Sequence, residues 1–421
     1  MANHSVLTGS RWMRLALVVP SLIAVLTLAA CGGGGPNPNA PQVANISNAA
    51  FISNTYSGAL QLVDTQNDTT SFTQQTTNSA GQEVQGQPVQ ITFGATTVSY
   101  EVLSPNKNDT LVYDPATFAL YIIDNASQTE NGSLPLAGPA SMAAFSPDSS
   151  TVYAPVPSAG VSGSSPGVVQ AWSVSSFSNT ANYTVPAAKS VAVSPNGTYL
   201  LVFSNNSDAL TVINLTASPV TYSRISGFAR PVNAFFSSDG NTAYVLNCGP
   251  ECGSSNPASV MQLNIPSQTI TATVPVGGAS VGLLNNQTLY VAGSPVPPGT
   301  KSTFDAVNIS NMTRITANSV PISDGFHTTM ALAQNNKLYI GANQCSNTTV
   351  GCLSVVNVSN NTADAALPPK GAVTSLLAIT NRNVVYAIEG GFLVIYDTTT
   401  DQPQQTQIIF TGALYGIVQV D

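Results

Sequence analysis

Charge is what this sequence has least of. Only 7% of its 421 residues are Asp, Glu, Lys or Arg, against about 25% in an ordinary globular chain, so the solvated surface must be built from Asn, Ser, Thr and Gln. Eleven Lys and Arg stand against 19 Asp and Glu. Such a balance offers no basic cluster to neutralise phosphates, and nucleic acid is excluded as a partner. Histidine occurs only at His4 and His327, which leaves haem or copper without ligands, and no cofactor and no metal site is expected. No G-x-S-x-G elbow, HExxH motif or phosphate-binding loop is expected. A hydrophobic content of 43% nevertheless suffices for a folded core.

The N-terminus carries an address. Arg11 and Arg14 precede an apolar run from Leu15 to Ala30, then Cys31. Sixteen apolar residues fall short of the roughly 20 that span a bilayer as a helix, and the order basic, apolar, small is that of a secretion signal. Leu28-Ala29-Ala30-Cys31 resembles a bacterial lipobox, which implies removal of residues 1–30 and lipidation of Cys31; a plain signal peptide is the alternative. Residues 31–44 begin Cys-Gly-Gly-Gly-Gly-Pro-Asn-Pro-Asn, a composition that tethers and cannot pack. Gly32 behind the cysteine implies, by the same resemblance, the outer membrane of a Gram-negative bacterium. The mature chain then keeps nine Lys/Arg against 19 Asp/Glu and one histidine, His327.

Residues 45–421 repeat themselves. Ser194-Pro195-Asn196-Gly197 precedes Tyr199-Leu200-Leu201-Val202-Phe203, and related strings begin at Ser146, Ser237 and Asn335. A second mark, an apolar strand ending in Asp, Asn or Ser, falls at Asp64, Asp124, Ser173, Asn214, Asn264, Asn308, Asn357 and Asp397. Each unit reads as strand A, tight turn, strand B, variable loop, strand C closing in an Asx-type turn, and strand D. Sheets this thin bury both faces only when packed side by side around an axis. The first unit lacks a strand A, whereas Gln407 to Phe410 reads as the last strand D and Gly412 to Val420 as one strand A too many. The final strand is therefore expected to complete the first unit and remove an open sheet edge.

The turn, the YV-x-N strand and the V-I-D/N strand resemble the YVTN β-propeller repeats, relatives of which include seven-bladed lactonase-like propellers. The resemblance implies an all-β propeller of four-stranded antiparallel blades. Eight units are counted; seven is the alternative, since about 60 residues separate the first two marks. A membrane β-barrel would instead alternate evenly over roughly ten residues per strand.

Blade geometry sorts the scarce polar groups. Lys107, Lys337 and Arg382 fall on A to B turns, where a charge is ordinarily just solvated. Lys189, Arg230, His327 and Lys370 fall in D to A loops, joined by Asp324 and Tyr415; they mark either a weakly basic channel mouth able to hold a carboxylate or phosphate or ordinary polar loops. Cys248 with Cys252, and Cys345 with Cys352, lie in B to C loops and read as two small disulfide loops, zinc being the alternative. Trp172 occupies a core-type position on a strand C. The expected function is a noncatalytic, membrane-tethered binding or scaffold protein of the cell envelope with a protein or glycan partner. A lactonase-like hydrolase is the alternative, with His327, Arg230, Asp324 and Glu101 as its few acid–base candidates.

Overall fold

In a computed structural model, described for residues 48–70, 76–77, 83–84, 89–296, 302–343, 345, 352–364, 371–404, 408, 410 and 412–420, the repeats form eight four-stranded antiparallel blades in a ring. Residues 1–47, with the signal, Cys31 and tether, lie outside the described residues, as does Lys370. The innermost strands A are Leu414–Gln419 in blade 1, Glu101–Leu103, Ala144–Phe145, Ala188–Val193, Pro231–Phe236, Val281–Asn285, Phe326–Leu332 and, in blade 8, Val373–Ala378. Strands B are Ala49–Asn54, Asp109–Asp114, Thr151–Val156, Tyr199–Ser204, Thr242–Asn247, Thr288–Gly293, Lys337–Asn343 and Val384–Glu389.

Ring closure follows the expected route. Leu414–Gln419 pairs antiparallel with Ala49–Asn54, Phe51 facing Val418 and Ile52 facing Ile417. The last strand D departs from expectation: Gln402–Pro403 pairs with Phe392–Asp397. Gln407 and Ile409 lie outside the described residues, and Ile408 and Phe410 lie outside any strand and pack on the cluster between blades 8 and 1. In blade 1 the hairpin Thr76–Thr77/Glu83–Val84 is inserted before strand D, Gln90–Thr92, which accounts for the long first spacing.

Between blades the core is aliphatic and aromatic. Strands B and C are buried almost throughout, and Trp172 packs with Tyr113, Leu120 and Phe145 between blades 2 and 3, as its position implied. The A to B turns repeat atom by atom. Ser194 Oγ accepts the Tyr199 N–H at 2.8 Å and donates to Asn196 Oδ1 at 2.7 Å, while Gly197 adopts φ 70°. Ser104, Ser146 and Ser237 do the same in blades 2, 3 and 5. Strand C ends as expected: Asp64, Asn214, Asn308, Asn357 and Asp397 each accept the N–H two residues on, at 2.7–3.1 Å.

Two cations expected to be merely solvated are not. Arg382 on the blade 8 turn grips Asp68 of blade 1 with both guanidinium nitrogens, at 2.6 and 2.7 Å, and Tyr386 Oη donates to the same carboxylate. Lys337 bridges Asp364 of its own blade and Asp401 of blade 8, whose Oδ1 also accepts Tyr339 Oη at 2.8 Å. The physical reason is the same twice: a C to D turn hands an Asp across the blade junction to a cation and a strand B tyrosine.

Candidate functional site

The face formed by D to A and B to C connections is where the scarce groups were expected, and it is built on a backbone irregularity. Strand A bulges near its start in blades 1, 4, 5, 7 and 8. A bulge turns one side chain out of the ladder, here Tyr415, Lys189, Val232, Thr328 and Thr374. The residue before it stays buried: Leu414, Ala188, Pro231, His327 and Val373.

Register therefore moves His327. It is the second residue of a strand rather than part of a loop, it faces Ala342 on strand B, and it fills the slot that alanine, proline, valine or leucine fills in other blades. It is 2% exposed, and neither ring nitrogen meets a hydrogen-bond partner. Burial pushes its pKa down to about 4, against the weaker opposing pull of Asp324 and of the Gly325 and Ser323 carbonyls. The imidazole is neutral at physiological pH.

Lys189 and Tyr415 sit on equivalent bulges three blades apart. Arg230 precedes strand A of blade 5 with φ 55°. Its N–H donates to Asp208 Oδ1 at 3.0 Å, its Nε lies 3.8 Å from the same oxygen, and Nη2 reaches the Gly253 carbonyl at 3.5 Å. Arg230 thus clips the B to C turn of blade 4 to the disulfide loop of blade 5. Asp324 is nearly buried. Cys248–Cys252 and Cys345–Cys352 are both disulfides, with Cα separations of 5.6 and 5.5 Å. The asparagine closing YV-x-N is structural: buried Asn247 Oδ1 accepts the Ala229 N–H at 3.0 Å, tying strand B to the D to A loop of its own blade.

Two carboxyls are left with an unused oxygen. Glu251, on the 3-10 turn Gly249–Cys252, inserts into blade 6, where Oε2 accepts the Ser294 N–H at 2.8 Å; Oε1 has no partner, and burial raises its pKa. Glu101 in blade 2 lies against Gly416 and Ser53 of blade 1, with Oε1 closed to solvent and unpartnered. Burial raises its pKa to about 8, so it carries a proton at neutral pH. Glu251 was not legible in the sequence, because NCGPEC reads as loop. The expectation of no G-x-S-x-G string is corrected: Gly278-Ala279-Ser280-Val281-Gly282 fits that pattern. A nucleophile elbow needs a strand-to-helix turn, whereas Ser280 directly precedes a strand, and its Oγ donates to the carbonyls of Ala292 and His327, at 3.3 and 3.5 Å. An open cavity of about 420 Å³ is lined by Phe145, Val191, Val193, Pro195, Phe235 and Phe236 among others.

No family profile and no curated protein matches this sequence. Solved structures do. A dihydro-heme d1 dehydrogenase, NirN, in complex with DHE superposes with a TM-score of 0.65 at 11% identity, over 91% of this chain and 78% of that one. Kuenenia stuttgartiensis hydrazine synthase gives 0.53 at 14% identity, over 77% and 99%. A functionally unknown protein from Desulfotomaculum acetoxidans DSM 771 gives 0.51 at 16%, over 77% and 98%. At such identities the likeness is one of fold, and the fold is the eight-bladed β-propeller.

Proposed function

We propose that this chain is a YVTN-type propeller lipoprotein, tethered through Cys31 to the outer membrane, whose D to A/B to C face binds an envelope component without transforming it. One observation carries the noncatalytic part: the one histidine of the mature chain is sealed in an interblade slot, with no hydroxyl, carboxylate or thiol on either ring nitrogen. General acid–base work needs that group within hydrogen-bond reach of a nucleophile or substrate proton. Propellers host unrelated activities, so the dehydrogenase and synthase named above lend no chemistry to this chain. The anchor rests on the sequence of residues 1–44.

The test combines a lactone and ester hydrolysis screen with fractionation of cells expressing the full-length protein. The expected result is no turnover above background, with the protein in the membrane fraction and Cys31→Ala released from it. Turnover abolished by His327→Ala would reverse the reading. The hydrolase alternative draws on one arrangement, Ser280 beside Glu251 in the wall shared by blades 5, 6 and 7; turnover lost in Ser280→Ala and kept in His327→Ala would establish it there.

A further inference from the structure

Among the described residues eight large hydrophobic side chains are exposed, and three of them lie along the seam where the ring closes. Tyr56 lies on the B to C turn of blade 1, Phe392 on that of blade 8, and Tyr415 on the bulge of the closing strand. They are 80%, 63% and 38% exposed. Main-chain hydrogen bonds gather all three around one short segment: the Leu414 N–H donates to Gly391 O at 3.0 Å, and the Thr55 N–H and Oγ1 both donate to Ala413 O at 2.9 Å. Tyr56 N–H is held by Asn54 Oδ1 at 3.1 Å, and Thr374 Oγ1 donates to Tyr415 O at 2.5 Å. Gly391 adopts φ 85°, and a Cβ there would stand 3.4 Å from Ala413. The rings thus stand on fixed turns.

The described residues around them are uncharged. No acid or base is exposed at this end of blades 8 and 1 among the described residues; Glu389 is buried against Tyr396 Oη. Among the described residues, Lys189 and Asp208 of blade 4, across the ring, carry exposed charge on this face. Next to Tyr415, Gly416 has no side chain, and the Glu101 carboxyl fills the space one would take, with its Oε1 unpartnered. The seam therefore presents aromatic faces and a hydroxyl at exposed Ser57, with the Glu101 carboxyl sealed beneath.

We infer that the Tyr56, Phe392 and Tyr415 seam is a binding site for an uncharged oligosaccharide. Ring faces carry negative charge density and favour C–H groups laid against them, and a neutral sugar offers a C–H face with a hydroxyl rim. A protein partner would need about 800 Å² of packed surface with an apolar centre, whereas three rings separated by Gly, Ser and Thr turns form isolated platforms. This assignment deepens the proposed binding role and rests on it.

The experiment is calorimetric titration of the full-length protein with maltohexaose, cellohexaose and the N-acetylglucosamine hexamer, each followed by chromatography of the sugar. Saturable binding of at least one, insensitive to salt, is expected. Phe392→Ala and Tyr56→Ala should each weaken it about tenfold or more, as loss of a central aromatic contact does. Tyr222→Ala, an exposed ring on the outer strand of blade 4, should change nothing, and matching melting curves show that the variants fold. Binding of none of the three sugars, or equal loss in Tyr222→Ala, overturns the site and leaves the noncatalytic reading standing. Self-association abolished by Phe392→Ala without sugar binding also overturns it, in favour of a protein contact. Shortened sugar after binding overturns the noncatalytic reading and keeps the site.

Discussion

The two faces of the ring are made by one chain reversing direction, and only one of them repeats. On the A to B and C to D face, serine and Asx side chains fold back on their own turns in blade after blade. Neighbouring turns are also linked, Asn196 Nδ2 to Asp239 O at 2.7 Å and Gln334 Nε2 to Asn383 Oδ1 at 3.0 Å. The opposite face shares no such rule: it carries two disulfide loops, two carboxyls with unpartnered oxygens, a clipped arginine and an aromatic seam. The regular face is determined by contacts within about five residues, and a repeat preserves them. The irregular face is determined by what adjacent blades bring together, which leaves it free to differ from blade to blade.

That comparison breaks most completely if the ring is opened. Deleting residues 412–421 removes the closing strand and exposes the edge of blade 1; most of the cooperative unfolding transition should vanish from a urea melt, with a smaller m-value. Next in size, Asp68→Ala strands Arg382 and Tyr386 at the same junction. Breaking a buried pair costs about 3–5 kcal/mol, and the partial exposure here, 26% for Arg382 and 11% for Asp68, brings the expectation to about 2 kcal/mol by the same rule. Lys107→Ala, on an exposed turn, should stay within about 0.5 kcal/mol.

His327 sharpens the contrast through pH. Its folded pKa lies below the usual histidine value, so the unfolded chain binds the proton first, and the stability attached to the neutral ring is full above about 6.5 and drains away as pH falls towards 4. His327→Val, the residue blade 8 uses in that slot, should flatten the denaturation midpoint between those limits; an unchanged acid slope would place the ring in solvent. On the regular face, Asn214→Ala removes one Asx turn, with its 3.1 Å bond to the Thr216 N–H, and should cost about 1 kcal/mol and leave the aromatic seam untouched.

How far the sequence could be read follows the same division. Ser194-Pro195-Asn196-Gly197 declared its turn because every group that satisfies it lies between residues 194 and 199. The paired cysteines were readable for a like reason, being four and seven residues apart. His327 was not: its loop position looked open, and only the bulge, an offset of one residue between strands A and B, turns it from the mouth into the wall. Arg382 looked solvated because Asp68, its partner, is 314 positions away in sequence.

By itself, the sequence determined the unit, its number, the closing strand and the regular face, since apolar alternation and turn chemistry are local and a repeat states them eight times. Tertiary structure alone decided which cations are tied across blade junctions, which carboxyls keep an oxygen without a partner, and that Tyr56, Phe392 and Tyr415 share one seam. Those outcomes depend on the register between strands and on the meeting of the first blade with the last, and neither is written in any single stretch of chain.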